Sequence, residues 1–317
     1  MVQYNLYWSV YKNLEKEIMD ITKHIHIDDN QMNVYSMHIG DLIVRCATEI
    51  ESLSKELYRM NGGPQLFDET GKERELYFDT DCIKYLNDIW GVCKKKIIVS
   101  CVTMYYEKEE NRIICPLHKA NKRGSSGSAW KRAYQAVKHD RKNQLHNATI
   151  KNLIYALGAL YILNLYYKDE IQRISLKSID ERMGSEVFAI TYANATLVEI
   201  SNDLTDSAIN KEVRTELETA LCIYKFSNKG WEDIHKEWIS FNDKLRKRTL
   251  EIPKVREFLT QNPEYREKSS LHILQTVGGV ELVRRVYPGG FGQILSKVPT
   301  EFVMNKRQTI YSQDGMC

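Results

Sequence analysis

The sequence has few of the features that mark unusual classes of protein. Proline occurs only six times among 317 residues, and neither a repeat nor a low-complexity tract is present, which excludes collagen-like and disordered chains. The seven cysteines are odd in number, widely spaced and form no C-x-x-C pair, which excludes a disulfide framework and a zinc cassette. Composition and cysteine usage therefore predict a folded cytoplasmic protein.

Signals for secretion or membrane insertion are also missing. The first residues, MVQYNLYW, contain no basic stretch followed by an apolar one, so we expect no secretion signal. The longest apolar run, residues 153–163, resumes after Asn164 and spans about 15 residues, fewer than the roughly 20 that a bilayer requires. It predicts a fully buried core helix and no membrane partner.

Common catalytic motifs are absent as well. The sequence contains no H-E-x-x-H, no G-x-S-x-G and no G-x-x-x-x-G-K-[ST], so zinc-protease, serine-hydrolase and P-loop chemistry find no support. His24 and His26 are two residues apart, a spacing that suits a metal only on a strand, and a surface loop is the favoured interpretation. We expect neither a cofactor nor a metal.

Hydrophobic periodicity predicts a mainly helical protein. Apolar residues recur at three- and four-residue spacing in residues 39–57 and 130–137, an unbroken apolar run predicts a buried helix over about 147–167, and further helices are predicted over 8–21 and 80–94. Residues 97–106 and 112–117 are rich in β-branched and aromatic side chains and predict a small β-hairpin. A polar, charged stretch after residue 168 predicts a boundary between a helical domain, 1–170, and an α+β region of unknown role, 180–317.

The C-terminal region contains one marked helical seam. Trp231, Ile234, Trp238, Phe241 and Leu245 follow helical spacing and predict a face that packs against another helix. A helix of the protein's own core is favoured over an oligomer interface.

Charge is concentrated in one segment. Residues 119–142 contain eight lysines and arginines against Asp140 alone, a net charge of +7, whereas the whole chain carries +3, so the other 293 residues sum to −4. A basic segment on a slightly acidic chain is typical of a protein that binds phosphate groups. A solvated lysine-rich loop is the alternative interpretation.

The same segment holds the densest group of reactive side chains. RNA cleavage without a metal needs a base for the 2′-hydroxyl proton, an acid for the leaving 5′-oxygen and a cation for the phosphorane. Histidine suits the first two roles because imidazoles titrate near neutral pH, and arginine suits the third because its planar fork matches phosphate oxygens. His139, Arg141 and His146 are therefore the catalytic candidates. The nucleic-acid-binding candidates are Arg123, Lys131, Arg132, Lys138 and Lys142.

These residues resemble a known family. Arg141-x4-His146 has the form R-x(4–6)-H of the HEPN superfamily. The order of three longer segments is also similar to that in bacterial HEPN-like proteins with a Lys-His-x-Arg signature. These segments are "CATEIESLSKELY", "WKRAYQAVKHDR" and "NLIYALGALYILNLYY". The resemblance covers roughly residues 1–170. It implies a HEPN-like helical bundle, a metal-independent endoribonuclease, a homodimer whose two motifs share one cleft, and a role in phage defence or a toxin system.

Geometry restricts how this motif can act. On one continuous helix, Arg141 and His146 are five residues apart and would project about 140° from each other. His139 and Arg141 would project about 200° apart. The chain must therefore break near residues 140–147, or two subunits must contribute. A non-catalytic HEPN-like subunit that binds RNA or a partner protein through the basic segment is the alternative function, and a purely structural cluster is the third possibility.

Overall fold

The computed structural model describes residues 5–172, 180–196, 211–286 and 298–306. The chain forms two compact units, Met1–Lys225 with Phe302–Cys317, and Phe226–Glu301. The expected boundary between residues 170 and 180 is not where the units divide. Residues 188–190 form a strand that pairs with residues 97–99, so this part of the chain belongs to the first unit.

The first unit is mainly helical. Its described α-helices are α1 Leu6–Ile21, α2 Met37–Met60, α3 Lys84–Trp90, α4 Glu109–Arg112, α5 Ala129–His139, α6 Arg141–Gln144, α7 Ile150–Ile171 and α8 Lys211–Thr219. Helix α7 packs against α1, α2 and α5, and an unbroken run of its residues from Ala156 to Tyr167 is buried. The prediction of a buried central helix is confirmed.

The apolar helix α7 is not a membrane span. No helix in the described part of the chain has the length and apolar character needed to cross a membrane.

One predicted helix is divided into three shorter helical segments. In place of a single helix over residues 80–94, the structure has a π-helical turn, Phe78–Ile83, then α3, and then a 3₁₀ turn, Val92–Lys94. Gly91 adopts φ 69°, a left-handed conformation that ends α3. The π turn places Phe78 and Asp79 beside helix α5, where the candidate site is found.

Three small sheets complete the first unit. The strands are β1 Ile27–Asp28, β2 Ile97–Val99, β3 Met104–Tyr105, β4 Ile113–Ile114, β5 Phe188–Ile190, β6 Tyr192–Asn194, β7 Cys222–Phe226 and β8 Thr300–Met304. Their orders are β1-β3, β4-β2-β5 and β6-β7-β8. The expected hairpin exists as the antiparallel pair β2–β4, with Ile97 opposite Ile114, but β3 pairs with β1 instead.

The second unit is a helical hairpin with a third helix. It contains α9 Asn228–Glu251, α10 Pro253–Gln261 and α11 Ser270–Val286. Phe241 and Leu245 of the predicted seam are buried there against Val255, Ile273 and Leu274. For these two residues the interpretation as part of a core within the chain is confirmed, whereas the side chain of Trp231 lies outside the described part. The glycine-rich residues 288–292 lie outside the described residues.

Candidate functional site

The helical chain breaks at Asp140, between the two candidate histidines. Asp140 has φ −145° and ψ 65°, which ends α5 at His139. Its carboxylate accepts a hydrogen bond from the Asn143 backbone N–H at 3.3 Å and so caps α6. A 3₁₀ turn, Leu145–Asn147, then leads to α7. A break near residues 140–147 is one of the two alternatives, and it is present, so His139, Arg141 and His146 do not lie on one continuous helix.

The three catalytic candidates lie on consecutive turns, and we call His139, Arg141 and His146 the His/Arg turn. His139 and His146 are exposed and Arg141 is partly exposed. His139 Nε2 lies 3.1 Å from Gln135 Oε1, and His146 Nε2 lies 3.3 Å from Asn147 Nδ2. Within the described residues neither imidazole is hydrogen-bonded to a carboxylate.

Arg141 has an acidic partner that sequence reasoning missed. Its Nη1 donates a hydrogen bond to Asp41 Oδ1 at 2.6 Å, across 100 residues of sequence. Asp41 lies in the first turns of α2, and no local spacing links the two positions. The ion pair fixes the α6 turn to α2 and holds the guanidinium at the surface.

Lys131 is buried and ion-paired, which its position in the basic segment did not indicate. Its side chain is only 6% exposed, and its ammonium lies 2.9 Å from Asp79 Oδ2. It also donates to the carbonyl oxygens of Ala120, at 3.1 Å, and Lys122. All three ammonium protons are thereby used, which differs from the expectation of a phosphate-binding lysine.

Asp79 anchors this buried cluster. Burial raises its pKa, but the hydrogen bond from Lys131, the backbone N–H of Thr80 and Arg123 outweigh that effect and leave the pKa below its ordinary value. Arg123 Nε reaches Asp79 Oδ1 at 3.2 Å, and its guanidinium lies 3.8 Å from the Tyr77 ring centroid. The carboxylate is therefore ionised and holds both cations in place.

Arg132 and Lys138 differ from Lys131 because both are exposed. Arg132 Nη1 donates to the Ser125 carbonyl oxygen at 2.8 Å, and Lys138 Nζ lies 3.2 Å from Tyr134 Oη. In the described part of the chain neither has a carboxylate within ion-pair distance. Lys142 is exposed on α6.

A cleft of about 620 Å³ runs along α5, and we call it the α5 cleft. It contains four of the predicted phosphate-binding residues and several aromatic and acidic side chains. Its lining residues are Glu51, Glu75, Leu76, Tyr77, Phe78, Asp79, Arg123, Gly124, Lys131, Arg132, Tyr134, Gln135 and Lys138. The His/Arg turn and Lys142 do not line it, so the structure separates the predicted site residues into two groups.

The Gly-Ser-Ser-Gly-Ser loop shapes one wall of the cleft. Gly124 has φ 60°, a conformation that strains residues with a Cβ. A Cβ on Gly127 would lie 2.9 Å from the Lys122 carbonyl oxygen. Both glycines thus let the loop fold tightly enough for Arg123 to reach Asp79. The sequence signals the loop, but not the Tyr77 and Asp79 segment that it meets.

Among the described residues, no three His, Cys, Asp or Glu side chains come together as metal ligands do. Comparison with known proteins finds no matching family model, no matching curated protein and no matching solved structure.

Proposed function

We propose that this protein binds RNA and cleaves it without a metal ion at the His/Arg turn, as the HEPN resemblance implies. The observation that carries this proposal is the helix break at Asp140, which leaves two imidazoles and a guanidinium on consecutive surface turns of a strongly basic segment. The break removes the single helical projection that would direct these groups apart. The cations along α5 supply electrostatic attraction for the RNA backbone.

The chemistry follows from the residue types. One imidazole accepts the 2′-hydroxyl proton, the 2′-oxygen forms a bond to phosphorus, and the bond from phosphorus to the 5′-oxygen breaks. The other histidine, as imidazolium, donates a proton to the leaving 5′-oxygen, and the products carry a 2′,3′-cyclic phosphate and a 5′-hydroxyl. Arg141 neutralises the charge on the phosphorane. In the homodimer that the resemblance implies, each copy contributes one of these two imidazoles, both from His146 or both from His139.

The resemblance extends the proposal beyond one chain. A homodimer would place a second His/Arg turn opposite the first, so that each copy supplies part of the site. A role in phage defence or in a toxin system, with activity restrained until a trigger arrives, belongs to the same proposal. A partner protein of such a system would supply the restraint.

The second candidate is an RNA-binding subunit that does not cleave. Two observations favour it: Arg141 is already paired with Asp41, and four basic residues lie together in the α5 cleft, away from the histidines. In that case the basic segment holds RNA or a partner, and the His/Arg turn is a surface feature.

A cleavage assay separates the two functions. Purified protein is incubated with labelled single-stranded RNA and with tRNA, with and without EDTA, beside Arg141→Ala, His146→Ala and His139→Ala variants. We expect cleavage that survives EDTA and is lost in Arg141→Ala and His146→Ala. His118→Ala is the matched control, because Arg112 and His118 also fit R-x(4–6)-H, with five intervening residues, outside the His/Arg turn, and His118 is exposed.

Each other outcome of this assay supports a different function or a different catalytic residue. Salt-dependent RNA binding without cleavage favours the binding subunit. Loss of cleavage in His139→Ala but not in His146→Ala assigns the chemistry to His139. Equal cleavage by all variants and the wild type contradicts the proposed site.

A further inference from the structure

We propose that the α5 cleft is a binding site for a nucleoside phosphate, separate from the His/Arg turn. The cleft combines two features. The side chains of Tyr77 and Arg123 form a half-exposed flat surface. Two exposed cations, Arg132 and Lys138, line the cleft and have no acidic partner in the described structure. This inference does not depend on RNA cleavage. The nucleoside phosphate is either a free nucleotide or one residue of an RNA strand.

The surface for a base is formed by Tyr77 and Arg123. Tyr77 is 49% exposed, and the Arg123 side chain, also 49% exposed, lies over its ring. Arg74 also lies near the ring, with its Cζ 4.9 Å from the centroid. Nucleobases stack on tyrosine rings and on guanidinium planes. Arg123 is held in this position by Asp79, so the surface exists before a ligand binds.

The phosphate would contact Arg132 and Lys138. Both side chains line the cleft, and each has only a neutral oxygen as its described partner, the Ser125 carbonyl and the Tyr134 hydroxyl. Neither charge has a described carboxylate within ion-pair distance, and Glu51 acts on Lys138 only at longer range. An arginine fork and a lysine ammonium together satisfy several oxygens of a phosphate group.

The acidic side of the cleft does not prevent anion binding. Lys55 Nζ lies 3.1 Å from Glu51 Oε1 and 3.1 Å from Glu75 Oε1, and Asp79 is compensated by Lys131 and Arg123. Glu51 and Glu75 share one cation and Asp79 has two, so the three carboxylates are balanced by three cations. The remaining carboxylate oxygens can accept hydrogen bonds from ribose hydroxyls or exocyclic amino groups, which a simple inorganic anion lacks.

The size of the cleft also fits. Its volume of about 620 Å³ lies within the range of about 300–1,000 Å³ that small-molecule sites occupy. A nucleoside mono- or diphosphate fills such a space, whereas an RNA strand would place only one or two residues in it.

Binding is tested on the full-length protein with two kinds of probe. Equilibrium dialysis with labelled AMP, ADP, GMP and GDP tests free nucleotides, and fluorescence anisotropy with a labelled single-stranded hexanucleotide tests RNA. Uridine and inorganic phosphate serve as partial ligands. We expect Arg132→Ala and Lys138→Ala each to weaken binding about tenfold, since each removes a charge-assisted hydrogen bond. Tyr77→Ala is expected to weaken it as well, and Tyr77→Phe to preserve it.

Lys84→Ala is the matched control, because Lys84 is an exposed cation that lies outside both the cleft and the basic segment. Its nucleotide affinity is expected to equal that of the wild type. Binding of a free nucleotide with this variant pattern identifies a small ligand, and the same pattern with the hexanucleotide alone identifies an RNA residue. Either result supports the cleft site.

Three results overturn the inference. They are no binding of nucleotides at millimolar concentration or of the hexanucleotide, wild-type affinity in Arg132→Ala and Lys138→Ala, and an equal loss in Lys84→Ala. The proposed nuclease is judged separately by His146→Ala in the cleavage assay. A protein that cleaves RNA but binds nothing in the cleft fails only the present inference.

Discussion

At the scale of single residues, charge alone does not say what a lysine does. Lys131 and Lys138 belong to the same helix and the same basic segment. Lys131 points into the protein and bonds Asp79 and two carbonyl oxygens, whereas Lys138 reaches only the Tyr134 hydroxyl at the surface. The first stabilises the wall of the α5 cleft, and the second is available to a ligand.

This difference gives the first prediction. Lys131→Met leaves the Asp79 carboxylate without its main partner in a buried site, and such a loss costs about 3 kcal/mol. We expect the free energy of unfolding, measured by urea titration, to fall by that amount. Lys142→Met, at an exposed position, should change it by less than about 0.5 kcal/mol.

A double variant also tests whether Lys131 compensates the charge of Asp79. Adding Asp79→Asn to Lys131→Met removes the uncompensated charge and should restore part of the lost stability. If Lys131→Met is as stable as Lys142→Met, the buried ion pair contributes little and the assignment is wrong.

At the scale of secondary-structure elements, two glycines of the central helices have opposite roles. A Cβ on Gly158 of α7 would lie 2.9 Å from Pro116 Cγ and 3.0 Å from Ile97 Cδ1. A Cβ on Gly40 of α2 would meet Ala148 Cβ at 3.4 Å and no atom more closely. Gly158 thus allows α7 to approach the sheet, while Gly40 leaves room for a methyl group.

The second prediction compares the two alanine variants. Gly40→Ala should keep or raise stability, because alanine is favoured over glycine in helices by up to about 1 kcal/mol. Gly158→Ala should lower it by about 1–3 kcal/mol through overpacking. Thermal unfolding measures both, and a rise in melting temperature for both variants would contradict the close approach at Gly158.

The third prediction concerns how the 184–187 turn is fixed to α1. Glu15 is 1% exposed, and it accepts hydrogen bonds from the Tyr11 hydroxyl at 2.7 Å and the Glu186 N–H at 2.9 Å. Burial raises the pKa of Glu15, but hydrogen bonds from Lys12, Ser185, Tyr11 and Val187 outweigh it and lower the pKa below its ordinary value. The carboxylate therefore stabilises the fold in its ionised form.

The sign of the pH dependence follows. Because the folded-state pKa is the lower one, the stabilisation is complete above the unfolded pKa of about 4.3 and is lost as pH falls through the folded value. We expect urea midpoints of the wild type and Glu15→Gln to differ most at neutral pH and to converge in acid. Glu69→Gln, at an exposed loop position, should stay parallel to the wild type throughout.

At the scale of the whole molecule, the chain has two separate large hydrophobic cores. The first surrounds α7 and includes Leu160, and the second lies among α9, α10 and α11 and includes Leu274. The second unit is an insertion, since residues on both sides of it return to the first unit. Each core has fully buried leucines whose truncation reports on it.

The fourth prediction uses these leucines. Leu274→Ala should cost about 3 kcal/mol in the second core and lower hydrogen-exchange protection in α9 and α11 without changing that of α7. Leu160→Ala should do the reverse. An equal loss of protection in both units after either substitution would show that the two cores unfold as one.

The sequence by itself determined the main helices of the first unit and the basic surface. Apolar spacing marks α1, α2, α5 and α7 because each helix buries one face, or in α7 nearly every face, and the pattern is local. Helix geometry also shows that His139, Arg141 and His146 could share a site only if the chain breaks near residues 140–147 or if two subunits contribute. The net +7 of residues 119–142 marks the basic surface.

Only the tertiary structure decided what the charged residues do. Asp41 meets Arg141 across 100 residues, and Asp79 meets Lys131 across 52. The strand β5 pairs with β2 across about 90 residues. This pairing places residues 188–190 in the first unit, beyond the boundary predicted between residues 170 and 180. Such pairs depend on packing between elements distant in sequence, and no local pattern encodes them. Spacing and charge find the basic segment, while packing divides it into buried cations and cations open to a ligand.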